Sequence, residues 1–228
     1  MRMRKKKNID QRMENCSDVL ATNPSELRGK WTEFFENDNP IYLEIGCGKG
    51  RFILTHAQNN PNINYIGVEL EENALIIATE KAQTLNLENL VFINFNALKL
   101  CDIFEDNEVS RLYLNFSDPW PQRKHEKRRL THTVFIEVYD RILCKNGQIH
   151  FKTDNQNLFE FSLEQLTRNA WYLQNLSLDL HNTQRPNIMT EYEERFSKLG
   201  FRINKVEAIR LSDRPIIEEI NEIENEDE

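Results

Sequence analysis

The feature that most constrains this chain is a strand-like run that ends in glycine. Ile41–Ile45 stops at Gly46, and Gly46-Cys47-Gly48-Lys49-Gly50 places three of the chain's seven glycines in five positions. Glycine permits positive φ and close backbone approach, so the segment reads as a tight turn from a strand into a helix. That helix is expected over 50–60, where Pro61 ends it. Beyond it, strand-like and helix-like segments alternate. Strands are expected over 63–69, 90–95, 112–116, 147–152, 172–180 and 202–210, and helices over 71–86, 130–144, 155–170 and 191–199. The first of these helices carries apolar residues at 74, 75, 78, 82 and 85, a helical spacing. Such alternation predicts an α/β fold: a mostly parallel central sheet with helices on both faces. Ligands in such sheets bind beyond the carboxyl ends of the strands. Chemistry is therefore expected where strands end.

Three strand ends carry polar residues that suit a ligand. Glu44 stands just before the glycine turn, and Glu69 ends the next strand 19 residues after Gly50. A carboxylate at Glu69 can accept both hydrogen bonds of a ribose diol. The dinucleotide fingerprint is G-x-G-x-x-G, but here the third glycine comes one residue early and Arg51 follows it. An acid at Glu44 suits a positively charged ligand rather than a pyrophosphate. Glu44, Gly46, Gly48, Gly50 and Glu69 together resemble motif I of the class I methyltransferases, whose S-adenosylmethionine carries a sulfonium and an ammonium. Asn96 ends the third strand, where that resemblance implies adenine contact. A turn-forming asparagine reads equally well there.

The fourth strand end is the most specific. Asp118-Pro119-Trp120-Pro121 is held by two prolines that fix φ and stop a helix. Gln122-Arg123-Lys124-His125-Glu126-Lys127-Arg128-Arg129 follows, with five bases in eight residues. A rigid acid–aromatic turn joined to a basic cluster suits a polyanion that delivers one base to a cofactor. This D-P-W-P stretch and its basic run resemble the bacterial tRNA (guanine-N7)-methyltransferases. Phe151-Lys152-Thr153-Asp154 and Thr190-Glu191-Tyr192-Glu193 match that family too, in order, so the resemblance spans roughly 27–209.

The resemblance implies a Rossmann-like class I methyltransferase fold with an antiparallel last strand. It implies methyl transfer from S-adenosyl-L-methionine to guanine N7 in the variable loop of tRNA. Glu44, Gly46, Gly48, Gly50, Glu69, Asn96 and Asp118 would bind the cofactor, and Asp118 would be catalytic. Gln122, Asp154, Thr190, Glu191, Tyr192 and Glu193 would hold the guanosine, and Lys124, His125, Glu126, Lys127, Arg128 and Arg129 would touch RNA. One departure is plain: Gln122 stands where the family usually has lysine, and Arg123 or Lys124 can supply that charge. On spacing alone, Asp154 is equally an N-cap, and Thr190-x-x-Glu193 is equally a capping box.

Charge bears on the partner. The net charge is −8, which taken alone argues against a phosphate backbone. Residues 211–228 hold eight acids and one base, a net −7, which leaves −1 for residues 1–210. The first twelve residues hold six bases and one acid. The expected organisation is a basic arm and lead-in over 1–26, a methyltransferase domain over 27–210 and an acidic tail over 211–228. Four scattered cysteines with no C-x-x-C pair argue against a zinc site or a disulfide scaffold. No run of about 18 apolar residues exists, and no apolar segment follows the basic start, so neither a membrane helix nor a secretory signal is expected. A cytoplasmic, metal-free enzyme follows, monomer or homodimer, with no obligate protein partner. Two alternatives share its features: the same fold acting on another RNA or a small molecule, and a non-catalytic RNA-binding module.

Overall fold

The computed structural model describes residues 7–211, so the basic arm before Lys7 and the acidic tail after Leu211 lie outside the described residues. Seven strands form one sheet: β1 (Ile41–Ile45), β2 (Asn64–Glu69), β3 (Leu90–Asn94), β4 (Val109–Asn115), β5 (Leu143–Thr153), β6 (Tyr172–Ser177) and β7 (Asn204–Ile209). Their order is β3-β2-β1-β4-β5-β7-β6. The pairs from β3 to β5 are parallel, and β7 runs antiparallel to both β5 and β6. The order in which strands are added reverses between β1 and β4, which opens a crevice at their carboxyl ends.

Helices cover both faces because the parallel strands are apolar on both. On one face α1 (Ile9–Glu14), α3 (Arg51–Asn59) and α4 (Glu72–Leu85) pack Phe52, Ile53, Leu75 and Ile76 against Tyr65, Phe92 and Tyr113. On the other, α5 (Thr133–Ile142) and α6 (Gln156–Arg168) bring Phe135, Tyr139, Leu158 and Phe159 onto Leu43, Leu112 and Phe151. The short helix α2 (Trp31–Phe35) seats Trp31 in that same core, where its indole N–H donates to the Ile103 carbonyl at 2.8 Å.

Three boundaries differ from expectation. The helix predicted over 130–144 is confined to α5, because Leu143 turns extended and pairs with Val109. Periodicity cannot separate them, since the apolar residues run on from helix into strand. Strand β6 stops at Ser177, after a register shift between Gln174 and Ser177, and Leu180 tucks into a 3₁₀ turn whose N–H reaches the Ile203 carbonyl. The lead-in, placed with the basic arm over 1–26, is folded from Ile9 onward. There Arg12 pairs with Glu80 at 2.6 Å and Leu20 bridges to Phe92.

Candidate functional site

The glycine turn is built as its sequence requires. Gly46, Gly48 and Gly50 have φ of +74°, +56° and +79°, a region that costs other residues about 1–2 kcal/mol. The turn is tied to β2 by Gly46 N–H, which donates to the Val68 carbonyl at 2.8 Å, and by Gly48 N–H, which donates to Glu69 Oε2 at 2.8 Å. Glu69 also accepts from the N–H groups of Leu70 and Glu71. One lone-pair direction of its carboxylate is still available.

At the end of β4 the backbone is unusual without glycine. Phe116 and Trp120 have φ of +53° and +41°. Such residues cluster where the surroundings over-determine the backbone. Those surroundings are visible. Phe116 N–H donates to the Lys152 carbonyl, and Arg129 donates to the carbonyls of Pro119 at 3.0 Å and Trp120 at 3.1 Å. Arg128 lies over the Trp120 ring at 4.9 Å, and His125 meets that ring edge-on at 5.7 Å. Arg129 itself packs over Phe161 at 4.3 Å. Part of the basic run therefore braces the turn. Lys124 and Lys127 stay exposed, and Gln122 is exposed at the start of the 3₁₀ helix Arg123–Arg128.

Two hollows meet at these strand ends. The first, of about 460 Å³, is lined by Gly46, Glu69, Asn96, Asp118, Trp120 and Leu130 among others. Glu69 and Asp118 thus share one cavity, and its size falls within the usual range for small-molecule sites. Asn96 opens into it while its Oδ1 accepts from Leu98 N–H, so the turn and pocket readings hold together. The second hollow, of about 500 Å³, shares Gly46, Asn115 and Phe116 with the first and adds Gly48, Gly50, Thr190, Glu191, Tyr192 and Phe196. Glu44 opens to this second hollow rather than to the one holding Glu69 and Asp118. Helix α7 (Glu191–Lys198) forms its far wall, tied to the α3 side by Arg51–Glu194 and to α4 by Lys81–Glu191 at 2.8 Å.

The substrate-side residues divide. Tyr192 stacks on Phe196 at 4.0 Å, lies 5.0 Å from Phe116, and donates its hydroxyl to Asp154 Oδ2 at 3.1 Å. Burial beside Asp154 raises its phenol to about 12. Asp154 is no cap: the α6 cap is Asn155, which accepts from Leu158 N–H. Thr190 is one, accepting from Glu193 N–H at 2.9 Å. Glu193, expected at the guanosine, is 0% exposed and turned into the interior.

Glu44 has a strongly perturbed environment. It is 1% exposed, Asn115 donates to its Oε1 at 2.8 Å, and its Oε2 has no hydrogen-bond partner among the described residues. Burial pushes its pKa from 4.5 up to about 8. A raised acid contributes stability that is complete below 4.5 and lost as pH climbs towards 8. Glu44→Gln keeps an acceptor for Asn115 and removes the titration. It should stabilise the ligand-free protein by on the order of 3 kcal/mol at pH about 8.5 and far less at pH about 5. Urea unfolding of both proteins at the two pH values measures this, and an equal difference at both would remove Glu44 as the cause.

Asn115, Phe116 and Lys152 went unassigned in the sequence. Asn115 and Phe116 lie inside the D-P-W-P stretch, but only the fold shows that Asn115 is buried between the hollows.

A family model described as "Putative methyltransferase" matches residues 38–206. A tRNA (guanine-N(7)-)-methyltransferase from Clostridioides difficile (strain 630) is 49% identical over 210 residues, 91% of this chain and 98% of that protein. One from Bacillus subtilis (strain 168) is 48% identical over 209 residues, with the same two coverages of 91% and 98%. Among solved structures, a mutant 16S rRNA (adenine(1408)-N(1))-methyltransferase from Catenulisporales acidiphilia, crystallised with its cosubstrate SAM, matches at TM-score 0.59 and 12% identity. It covers 86% of this chain and 95% of that one, a likeness of fold.

Proposed function

The chain belongs to the tRNA (guanine-N7)-methyltransferase family, and on that premise we propose that it moves a methyl group from S-adenosylmethionine to N7 of a guanosine in the tRNA variable loop. One observation carries the residue assignment: Glu69 and Asp118, from different strands, line one cavity at the switch point of the sheet.

The residues present suit the cosubstrate. A Cβ built on Gly46 or Gly48 meets nothing within 4 Å, so the turn leaves a bare backbone cradle. The orphaned Glu44 Oε2 suits an ammonium group. Glu69 accepts from one hydroxyl of the ribose diol through the lone-pair direction it has left, and Asn96 takes the adenine. Bound there, S-adenosylmethionine supplies a methyl on a sulfonium, already a good leaving group.

The protein's task is then alignment. Guanine N7 has a lone pair and no proton, so no general base is required. Reacting atoms about 3–3.5 Å apart and in line gain most of what enzymes provide in such steps. The α7 side of the second hollow receives the base against the rings of Tyr192 and Phe116, with Asp154 behind Tyr192, while the cofactor's ammonium end reaches Glu44 on its glycine-turn side. Asp118 lines the first hollow on a braced turn, two residues beyond Phe116 at the junction. Its carboxylate stabilises the positive charge that grows on the purine, an effect strengthened where water is excluded. The structure has no helix long and apolar enough to cross a membrane among the described residues.

Lys124 and Lys127 are exposed bases of the run that follows this turn, and in this reading they meet tRNA phosphates. The variant Lys124→Gln/Lys127→Gln should bind tRNA more weakly and lower the slope of log affinity against log salt by about 2, near 0.9 per lost phosphate contact. An unchanged slope removes them from the interface. The function itself is tested by incubating protein, S-adenosylmethionine and unmodified tRNA, then digesting and weighing the nucleosides. 7-Methylguanosine should form, and should vanish when the variable-loop guanosine is replaced. Methylation elsewhere, or of a small molecule only, overturns the assignment.

A further inference from the structure

Thr190-Glu191-Tyr192-Glu193 is one motif in sequence, but its side chains go separate ways. Tyr192 faces the second hollow, and Glu193 faces inward. Glu193 Oε2 accepts from Lys152 Nζ at 2.6 Å, and Oε1 accepts from Asn187 Nδ2 at 2.6 Å. His181 Nε2 lies 3.2 Å from that same Oε1. Lys152 is 4% exposed, and its other hydrogens go to the Ile188 carbonyl at 3.0 Å and to Asn187 Oδ1 at 3.2 Å. An ammonium has three donors, so Lys152 is fully used. Burial lowers its pKa and the Glu193 carboxylate raises it.

Neither charge is open to a ligand, yet the pair joins two walls of the site. The Lys152 carbonyl accepts from Phe116 N–H, where the left-handed turn of β4 begins. Glu193 neighbours Tyr192 on the first turn of α7, and the Tyr192 ring rests against Phe116 at 5.0 Å, both lining the second hollow.

We infer that Glu193 is a positioning residue that acts through Lys152. Their ion pair clamps the first turn of α7 and the 187–188 segment onto β5, and so sets where Tyr192 rests against Phe116 at the edge of the second hollow. Glu193 does not touch the guanine. This rests on the functional reading above and names how the base-side wall of that site is held.

The physics of buried pairs supplies a test. Removing one partner strands a buried charge, whereas replacing both with apolar residues of similar size is often neutral. Lys152→Met and Glu193→Leu should each lower the melting temperature and turnover sharply. The double variant should recover most of the melting temperature and bring kcat/KM for tRNA to within about tenfold of wild type. Recovered melting with turnover still as low as in Glu193→Leu would place Glu193 on the substrate and overturn the inference. Glu193→Gln decides the matter even if the double variant does not fold. The probe is tRNA with inosine at the target, which lacks the exocyclic amine. The ratio of kcat/KM for guanosine over inosine tRNA should be the same in Glu193→Gln as in wild type, with affinity for S-adenosylmethionine also unchanged. A changed ratio means a direct contact. Failure of wild type to make 7-methylguanosine would instead sink the functional reading, so the two failures are distinct.

Discussion

Asp118→Ala should lower turnover at least about 100-fold while leaving the melting transition in place. Asp118 is exposed, and it sits on a turn held by other groups: two prolines, the Phe116 N–H bond to β5, and Arg129 on the carbonyls of Pro119 and Trp120. Removing its carboxylate breaks none of these, so the fold has little reason to respond. The chemical step loses a carboxylate that lines the first hollow beside Glu69, near where charge grows as the methyl arrives. Single-turnover rates at saturating S-adenosylmethionine separate this from weaker cofactor binding. Wild-type rates would take Asp118 out of the site. A rate that rises through an essential base near neutral pH would contradict alignment without deprotonation.

Two of the turn glycines should fail in different ways. Gly50→Ala forces a side chain into φ +79° and puts its Cβ 2.8 Å from the Ala78 Cβ. Ala78 is fully buried in α4 and cannot yield without moving that helix. The left-handed backbone costs about 1–2 kcal/mol and the overpacking a further 1–3, so a loss of about 3 kcal/mol is expected. Denaturant unfolding measures it. At Gly46 the same substitution meets open space, so only the backbone cost of about 1–2 kcal/mol applies. Its methyl, however, projects where both hollows meet. Gly46→Ala should therefore weaken S-adenosylmethionine binding at least about tenfold by calorimetry, an effect out of proportion to its stability loss. Equal stability losses for the two variants would contradict the packing account of Gly50.

Several of these features were legible in the amino-acid order. Glycines were crowded into one strand-to-helix junction because that turn needs three positive φ angles close together. The carboxylates Glu69 and Asp118 stood at strand ends, and strand ends of a parallel sheet converge on one edge. The alternation of segments carried the sheet and its two helical layers. Errors came where a local pattern has two readings. Leu143 continues the apolar face of α5 but pairs with Val109, and no periodicity distinguishes the two.

The basic run shows the same limit at the site. Its charge density suggested RNA throughout, yet Arg129 is committed to the D-P-W-P turn and Arg128 rests on Trp120. Likewise the Thr190–Glu193 motif placed an acid near the target base, and packing turned that acid inward onto Lys152, 41 positions earlier in the chain. The order of residues by itself determined where the backbone turns and which polar groups reach the sheet edge, because backbone preference and hydrophobic period are properties of neighbours in sequence. Only the tertiary structure decided which of those groups stay available for a ligand. A hydrogen bond or ion pair depends on which surfaces meet in space, and that is set by how the helices close over the sheet.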